Sequence, residues 1–331
     1  MNTTLITGGA GFIGSHLSEA LLRAGRRIIL LDNFNDFYDP RMKRDNIAQI
    51  QQMMKDTGIP DDRLQVIEGD IRDLDQLHQI FREHDIDLVV HLAAMAGVRP
   101  SIQNPLLYNE VNVGGTLNLL EMCRSYQVHK FIFASSSSVY GNHEQVPFSE
   151  DDHVDHPVSP YAATKKAGEL YCYNYHHLYD IDVACLRFFT VYGPRQRPDL
   201  AIHKFARLIL QGEELPFYGD GSTERDYTYI DDIIDGILRT IRWLEDGRGK
   251  YEIFNLGESR TISLRTMVET LEKALGRKAR IKRLPMQPGD VLRTYADVSK
   301  ARRMLGYHPS TGFEEGIRKF VQWLTMGEER R

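Results

Sequence analysis

The chain has 331 residues, of which 42% are hydrophobic, so it is long and apolar enough to bury a large core. Its 41 basic and 46 acidic residues are mixed along the sequence and give a net charge of −5, which argues against nucleic acid or an anionic membrane surface as a partner. The three cysteines form no CxxC pair, which predicts free thiols, no disulfide, no metal site and a cytoplasmic location. No apolar run reaches the length of about 18 residues that a membrane span needs, and the strand-like run that starts at Thr3 leaves no room for a leader segment.

Six short apolar segments alternate with helix-sized segments in the first part of the chain. They are TLIT, RIILLD, LQVIEGD, DLVVHLA, KFIFASS and DVACLRF. Near-continuous, β-branched runs of this length are typical of parallel strands that are covered by helices on both faces. Patterns at residues 12–24, 106–126 and 161–179 predict long helices between the strands. This order predicts a Rossmann-like, doubly wound α/β fold.

After residue 189 the chain changes character. Gly and Pro interrupt segments such as VYGPRQRP and FYGDGSTERDY, and shorter helices are predicted at 200–211, 231–245, 263–275 and 312–325. We therefore predict a Rossmann domain at 1–189 and a smaller C-terminal substrate-binding lobe at 190–331. The segment YEIFNLG predicts a strand near 251–257 that returns to the first domain.

The first predicted strand leads into a glycine-rich loop, in which Gly8, Gly11 and Gly14 open the first predicted helix. Glycines allow a tight turn and a close approach of the backbone to a pyrophosphate, whose charge is met by the helix N-terminus. Asp32 ends the second strand, 18 residues after Gly14, where a carboxylate accepts hydrogen bonds from an adenosine ribose and repels a 2′-phosphate. The pattern predicts NAD rather than NADP as the cofactor. The alternative is a structural turn followed by a solvated aspartate.

Asp70 and Ile71 follow the third strand in the segment EGDIRD. Two interpretations are open for them. Either they meet the adenine edge of the cofactor, or the segment is only the N-cap of the helix that starts near Asp73.

Four consecutive serines, residues 135–138, end the fifth strand at the sheet edge where such folds bind ligands. Tyr161 and Lys165 lie four residues apart on a predicted helix, so their side chains face the same way. Lowering the pKa of a phenol by about three units requires about 4 kcal/mol, which a neighbouring ammonium and an oxidised nicotinamide can supply. The set predicts that a serine hydroxyl shares the reacting oxygen with Tyr161, the general base, while the carbon gives hydride to NAD. The alternatives are a serine loop that bonds its own backbone and a YxxxK pair that occurs by chance on a solvated helix.

The motifs TGGAGFIGSH, GDIRD, HLAA, SSSSVYG, YAATK, RFFTVYGP, GDGSTERDY and PGD span essentially the whole chain. Together they resemble the extended short-chain dehydrogenase/reductase family of nucleotide-sugar-modifying enzymes. Within it, the segments LAAMAGVRPS, YAATKKAGE, RFFTVYGPRQRPD and MQPGDV, with SSSSVYG, are most similar to UDP-glucuronate 4-epimerases. The resemblance implies an NAD-dependent isomerase that acts on a UDP-sugar and forms a homodimer through the helices at 106–126 and 161–179.

The resemblance also implies roles for individual residues. Tyr161 would be the base, Lys165 would bond the nicotinamide ribose, and Ser136 would be the catalytic hydroxyl. The implied cofactor site comprises Gly8, Gly11, Phe12, Ile13, Gly14, Asp32, Asn33, Asp70, Ile71, Leu92, Ala93, Ala94 and Lys165. The implied substrate site comprises Arg99, Ser137, Ser138, Thr190, Arg195, Arg197, Arg225, Asp290 and Arg293. Relatives often carry Arg just before PGD, where this chain has Gln287, which leaves Arg293 as a substitute for one diphosphate contact.

The serine segment separates epimerisation from other reactions of the family. Dehydratases read TDEVYG there, and their acidic pair expels a C6 hydroxyl, a step that serines do not catalyse efficiently. Decarboxylases read TSEVYG, and Ser138 replaces that Glu. We therefore predict oxidation at C4, rotation of the 4-keto sugar and reduction on its other face, with UDP-glucuronate favoured over UDP-glucose. A silent NAD-binding regulator is disfavoured by the complete set of Ser136, Tyr161 and Lys165.

Overall fold

The computed structural model describes residues 2–285 and 291–328. The strands are β1 (Thr3–Thr7), β2 (Arg27–Asp32), β3 (Leu64–Glu68), β4 (Leu88–His91), β5 (Lys130–Ser136), β6 (Asp182–Phe188), β7 (Thr190–Tyr192), β8 (Glu214–Tyr218), β9 (Glu224–Tyr229), β10 (Tyr251–Leu256), β11 (Thr261–Ser263) and β12 (Arg280–Leu284). The helices are α1 (Phe12–Arg23), α2 (Pro40–Thr57), α3 (Leu74–Glu83), α4 (Val98–Gln103), α5 (Pro105–Asn109), α6 (Gly115–Ser125), α7 (Pro160–Tyr179), α8 (Ala201–Gln211), α9 (Ile230–Glu245), α10 (Leu264–Leu275), α11 (Ser299–Leu305) and α12 (Phe313–Glu328). Short 3₁₀ turns at Asp61–Arg63 and Ser137–Tyr140 and a π turn at Glu110–Gly114 complete the described elements.

Seven parallel strands form the central sheet, in the order β10-β6-β5-β4-β1-β2-β3. The five inner strands are almost wholly buried, as expected for apolar runs that are covered by helices on both faces, whereas the edge strands β3 and β10 are partly exposed. The order reverses between β1 and β4, and the crevice at such a reversal is where doubly wound sheets bind ligands. The predicted doubly wound α/β fold is confirmed.

The predicted elements agree with the structure within a few residues, apart from one helix in the first half of the chain. The helix predicted at 106–126 is divided by the π turn into α5 and α6. The sequence analysis also missed α2, although Asp39 caps it, Pro40 begins it, and Ile47, Ile50 and Met54 form a buried stripe at helical spacing. The many charged and amide side chains on the other faces of this helix concealed the apolar stripe.

The chain returns to the central sheet well after residue 189. Strand β10 pairs in parallel with β6, and α9 packs against α1 and β6. A three-stranded sheet, β11-β9-β7, and the pair β12-β8 form the rest of the C-terminal part. A cut at residue 189 would remove one strand and one covering helix from the Rossmann layer, so the proposed division into 1–189 and 190–331 remains a prediction.

A buried carboxylate, Asp226 of β9, connects this strand to the loop after β10 and to the segment before α11. It accepts hydrogen bonds from the backbone N–H groups of Glu258, Ser259 and Ala296 at 2.8, 3.0 and 3.1 Å. Burial raises the pKa of Asp226 to about 6, although these donors oppose the shift. Burial, together with repulsion from Asp232 and Asp226, raises the pKa of Glu258 to about 7.

Replacing Glu258 by Gln should remove a pH-dependent loss of stability. A carboxyl whose pKa is higher in the folded state stabilises the fold fully below its unfolded pKa, here 4.5, and that contribution is lost as pH rises through the folded value of about 7. We expect the wild type to lose about 1 kcal/mol relative to Glu258→Gln across this window, after allowance for the partial exposure of the side chain. Urea unfolding at about pH 5, 6.5 and 8 measures the difference, with the exposed Glu213→Gln as control. A difference that stays constant with pH would contradict the prediction.

Among the described residues, no helix has the length and apolar character needed to cross a lipid bilayer. Within the same residues, no cluster of His, Cys, Asp and Glu side chains is arranged to hold a metal ion.

Candidate active site

A groove of about 490 Å³ runs past the carboxyl ends of β1 to β6. Every residue that the sequence predicts for the cofactor site lines it, from Gly8 after β1 to Asp70 after β3 and Ala94 after β4. The three predicted catalytic residues line the same groove. The groove therefore brings together motifs that lie up to 157 residues apart in the sequence, from Gly8 to Lys165.

The glycine loop forms the floor of this groove. Gly8 has a φ of +69°, and a Cβ atom there would lie 2.7 Å from the backbone nitrogen of Ala93. A Cβ atom on Gly14 would lie 2.4 Å from the carbonyl oxygen of Gly8. Gly11 is the N-cap of α1 and has no side-chain oxygen to accept from the first-turn N–H groups. A close backbone turn before uncapped N–H groups fits the pyrophosphate of a dinucleotide.

Asp32 is held at the edge of the groove. One carboxylate oxygen accepts from the backbone N–H of Ala10 at 3.2 Å, and the other accepts from Phe34 N–H at 2.9 Å and from Lys43 Nζ at 3.1 Å. Lys43 also lines the groove but was not predicted as a site residue, because it lies on the helix that the sequence analysis missed. Its ammonium partly neutralises Asp32, so the repulsion of a 2′-phosphate is weaker than a free carboxylate would give.

The segment after β3 contains both groove residues and a helix cap, and the contact of Asp70 and Ile71 with the adenine edge stays a prediction. Asp73 caps α3 through its side chain. Asp70 and Ile71 line the groove, and Asn33 donates to Asp70 at 3.0 Å. Hydrogen bonds from Arg72 hold the pKa of Asp70 at about 2, so this carboxyl is ionised at neutral pH.

Helix α7 presents Tyr161 and Lys165 to the end of β5. The Ser159 side chain caps the helix and Pro160 occupies its first position, which begins α7 immediately before Tyr161. Lys165 Nζ donates to the carbonyl oxygen of Ala134 at 2.8 Å and lies 5.9 Å from the centre of the Tyr161 ring. The pair therefore packs against the sheet rather than on a solvated helix face.

Ser136 has two kinds of partner. Its hydroxyl oxygen accepts from the Ser138 backbone N–H at 3.1 Å, and its hydroxyl lies 3.1 Å from Ser138 Oγ. The loop thus does bond its own backbone, as the alternative interpretation states. The same side chain lowers the pKa of Tyr161, so Ser136 lies beside the predicted base.

The electrostatics of Tyr161 differ from the sequence-based expectation. Burial raises the pKa of Tyr161 above its usual value, while the Ser136 hydrogen bond and the charge of Arg197 lower it. Burial also lowers the pKa of Lys165 to about 8. The protein groups alone therefore do not lower the pKa of Tyr161 toward 7. A positive charge bound in the groove would have to lower it.

Four of the predicted substrate residues line the groove near the catalytic set. They are Ser137, Ser138, Thr190 and Arg197. Arg197 is paired with Asp199 at 2.8 Å, and its guanidinium lies 5.4 Å from the centre of the Phe37 ring, which also lines the groove.

Two predicted arginines, Arg99 on α4 and Arg195 on the loop after β7, do not line the described groove. Arg195 pairs with Glu19 at 2.5 Å and donates to Gln49 at 3.2 Å, so it binds α1 and α2 instead of the described groove lining. Arg99 is exposed, and its guanidinium lies 5.7 Å from the centre of the Tyr218 ring.

The predicted nucleotide-end residues lie on neighbouring segments outside the described groove lining. Arg225 donates to the carbonyl oxygen of Glu224 at 2.8 Å, and Arg293 forms an ion pair with the Glu224 side chain. Glu224 and Arg293 are also paired in a parallel β-bridge, so the segments that carry Arg225 and Arg293 are adjacent. The predicted residue Asp290, like Gln287, lies outside the described residues.

A buried ion pair behind the catalytic set was also missed by the sequence analysis. Glu169 of α7 and Arg187 of β6 pair at 2.8 Å. The available signal was Arg187 itself, a charged residue within an otherwise apolar strand, where a partner is needed.

Comparison with known proteins identifies the family of this chain. A family model described as GDP-mannose 4,6 dehydratase matches residues 5–320. A UDP-glucuronate 4-epimerase of Thermodesulfobacterium geofontis is 41% identical over 324 residues, which cover 98% of this chain and 96% of that protein. The structure of UDP-glucuronic acid 4-epimerase from Bacillus cereus in complex with UDP-glucuronic acid and NAD has a TM-score of 0.87 and 37% identity, covering 98% of this chain and 99% of that one. UDP-glucose 4-epimerase from Thermotoga maritima, solved with UDP-glucose, has a TM-score of 0.87 and 31% identity over the same shares. With its glycine loop, its Ser136, Tyr161 and Lys165 set and this match along nearly its whole length, the chain belongs to the GDP-mannose 4,6 dehydratase family of extended short-chain dehydrogenases/reductases.

Proposed function

We propose that this protein is an NAD-dependent UDP-sugar 4-epimerase that interconverts UDP-glucuronate and UDP-galacturonate. The observation that carries the proposal is the groove in which Tyr161 and Lys165 lie beside Ser136, followed by Ser137 and Ser138 rather than by acidic residues. A 4-epimerase needs a base for the C4 hydroxyl and no acid to expel a leaving group. The relatives that are named UDP-glucuronate 4-epimerases support this choice.

The glycine loop, Asp32 and Lys165 would hold NAD, which would supply the reversible hydride chemistry at C4 of the sugar. The phenolic oxygen of Tyr161 accepts the proton of the C4 hydroxyl and later gives it back. The Ser136 hydroxyl donates a hydrogen bond to the same sugar oxygen, and the Lys165 ammonium favours the ionised form of Tyr161. Because the proton returns to the atom that lost it, the reaction changes only the configuration at C4.

The sugar is proposed to occupy the end of the groove that Ser137, Ser138, Thr190 and Arg197 line. Hydroxyl groups and a guanidinium suit an anionic sugar, because they donate hydrogen bonds to a carboxylate. Arg225, Arg293 and Asp290 remain proposals for the nucleotide end. Arg99 and Arg195 stay as weaker proposals for the substrate, since their described contacts are to other parts of the protein.

Conversion assays with separate substrates test the function. The purified protein, with no NAD added, is incubated with UDP-glucuronate, UDP-glucose and UDP-xylose, and the products are separated by chromatography. We expect UDP-galacturonate from the first substrate. No NAD has to be added, because bound NAD is regenerated in each turnover. Conversion of UDP-glucose alone would make the protein a UDP-glucose 4-epimerase, the second candidate, which the Thermotoga maritima neighbour favours. Release of carbon dioxide or a strict need for stoichiometric NAD would contradict epimerisation.

We also propose that the protein is a homodimer, located in the cytoplasm. Helix α7 carries large apolar side chains that are exposed, with Leu170 at 59%, Tyr173 at 53% and Leu178 at 55%. Leu106 of α5 is 79% exposed. Apolar side chains clustered on two packed helices suit a two-fold interface in which the same surface of each subunit meets the other. The cytoplasmic location rests on the three cysteines, which are all free and buried.

Replacing Leu170 by Glu should convert the dimer to a monomer. The glutamate carboxylate would be buried in the apolar interface without a partner. The free-energy cost of burying that charge exceeds the binding free energy that a single contact contributes to an interface. Light scattering coupled to size-exclusion chromatography measures the mass. Leu74→Glu, which places the same charge on an exposed leucine of α3, is the matched control and should leave the mass unchanged. A monomeric wild type at working concentration would contradict the dimer.

A further inference from the structure

The ion pair between Glu169 and Arg187 has no part in the proposed mechanism, yet it lies directly behind the catalytic set. Both side chains are 1% exposed. Arg187 holds both carboxylate oxygens, with Nε to Oε1 at 2.8 Å and Nη2 to Oε2 at 2.9 Å. Removing two charges from water is costly, and apolar residues of similar size often stabilise a fold as well as such a pair does. Stability alone therefore does not account for this arrangement.

The pair joins the catalytic helix to the catalytic strand. Tyr161, Lys165 and Glu169 follow each other at intervals of four residues, so they share one face of α7. The first lies beside Ser136, the second donates to a backbone carbonyl of β5 at 2.8 Å, and the third accepts from Ser135 Oγ at 2.6 Å. These contacts fall on three consecutive residues of β5. The register of α7 against β5 thus sets the distance between the proposed base and the proposed catalytic hydroxyl.

Arg187 also holds the turn that follows β5. It is the cross-strand neighbour of Ser135 on β6, and its Nη1 donates to the Tyr140 hydroxyl at 3.0 Å. The Tyr140 hydroxyl in turn donates to Asn255 Oδ1 of β10 at 2.7 Å. Tyr140 closes the 3₁₀ turn Ser137–Tyr140, which begins directly after Ser136. One guanidinium therefore connects α7, β5, the serine turn and the return strand.

We propose that Glu169 and Arg187 are positioning residues, whose ion pair fixes α7 against β5 and the serine turn so that Tyr161 and Ser136 remain side by side. The inference rests on the proposed function, in which Tyr161 and Ser136 share the reacting oxygen. Because Arg187 neutralises Glu169, the carboxylate does not attract the Lys165 ammonium one helical turn away. That ammonium stays beside Tyr161.

A displacement of α7 relative to β5 would change the pKa of Tyr161. The charged and polar groups around its ring are Ser136, Lys165, Arg197 and Tyr108. The Ser136 hydrogen bond lowers the pKa of Tyr161 against the effect of burial. Loss of that bond raises the pKa further, so less of the base is ionised at a given pH.

Glu169→Gln tests the inference, because it keeps the side-chain volume and an oxygen that accepts from Ser135 but removes the charge that holds Arg187. We expect kcat to fall about 10- to 100-fold while KM changes less than about twofold, as for a small misplacement of reacting groups. We also expect the pKa of Tyr161 to rise by at least about half a unit. NMR of ¹³C-tyrosine-labelled protein measures that pKa without any substrate, with the signal assigned by its absence in Tyr161→Phe. Glu245→Gln, which breaks a partly buried ion pair with Arg26 outside the groove lining, is the matched control and should leave kcat and the pKa of Tyr161 unchanged.

A folded Glu169→Gln protein with wild-type kcat and a wild-type pKa of Tyr161 would overturn the inference, and so would a loss of thermal stability alone. Should that variant fail to fold, Tyr140→Phe replaces it, because it removes only the hydroxyl between Arg187 and Asn255 and should change kcat and the pKa in the same directions. A wild-type protein that epimerises no UDP-sugar would refute the proposed function and not this inference, which the NMR titration then decides by itself.

Discussion

Replacing Tyr161 by Phe should lower kcat at least about 100-fold, or about 3 kcal/mol in activation free energy, because the reaction then has no base for the C4 hydroxyl. The substitution removes one oxygen, so the fold should persist. The Ser136 hydroxyl keeps its contacts with Ser138, so the free energy of unfolding should change by no more than about 1 kcal/mol. Initial rates with UDP-glucuronate and denaturant unfolding measure the two effects.

Tyr171→Phe is the matched control for this experiment. Tyr171 lies on the same helix, α7, but its side chain is partly exposed and does not line the described groove. The control should retain wild-type kcat and stability. Near-wild-type activity of Tyr161→Phe would remove Tyr161 as the base and with it the proposed mechanism.

Replacing Gly8 by Ala should abolish the retention of NAD and lower activity about 100-fold or more. Gly8 has a φ of +69°, which costs any other residue about 1 kcal/mol or more. In addition, the new Cβ atom would lie 2.7 Å from the backbone nitrogen of Ala93, so the glycine loop or the loop after β4 must move. Both loops line the groove, and a shift of about 1 Å there misplaces whatever binds between them.

Gly58→Ala separates the two contributions. Gly58 has the same φ of +69° at the end of α2, but its Cβ atom would have no neighbour within 4 Å. It should lose about 1 kcal/mol of unfolding free energy and keep its NAD and its activity. Absorbance of the released cofactor after denaturation quantifies bound NAD in both variants. If Gly8→Ala were to retain NAD as Gly58→Ala does, the glycine loop would not be the dinucleotide site.

Much of the fold followed from local patterns. The six apolar strands, the return strand at Tyr251–Leu256 and the long helix that starts at Pro160 could be predicted because a buried parallel strand or a capped helix leaves its signature within a few consecutive residues. The polar helix Pro40–Thr57 was missed because its apolar stripe is diluted by charged residues. Lys43 was therefore not predicted as a site residue. It lies on this helix and contacts Asp32, which is 11 residues earlier in the sequence.

The two arginines of the segment GPRQRPD show the limit of sequence reasoning at the site. Arg195 and Arg197 are separated by one residue and were predicted together. In the folded protein Arg195 pairs with Glu19, whereas Arg197 lines the groove beside Phe37. The direction that a long side chain takes depends on partners from distant segments, and those partners are not adjacent in the sequence.

The sequence by itself determined the doubly wound sheet, the glycine loop with Asp32, and the Ser136, Tyr161 and Lys165 set, because each is specified by residue type and short spacing. Only the tertiary structure decided which arginine enters the groove, that Lys43 neutralises part of the charge on Asp32, and that Glu169 and Arg187 connect α7 to β5. It also decided the electrostatics of the base, since burial raises the pKa of Tyr161 while Ser136 and Arg197 oppose that shift. Burial and ion pairing are set by distances between segments that are far apart in the chain, and these distances exist only once the protein has folded.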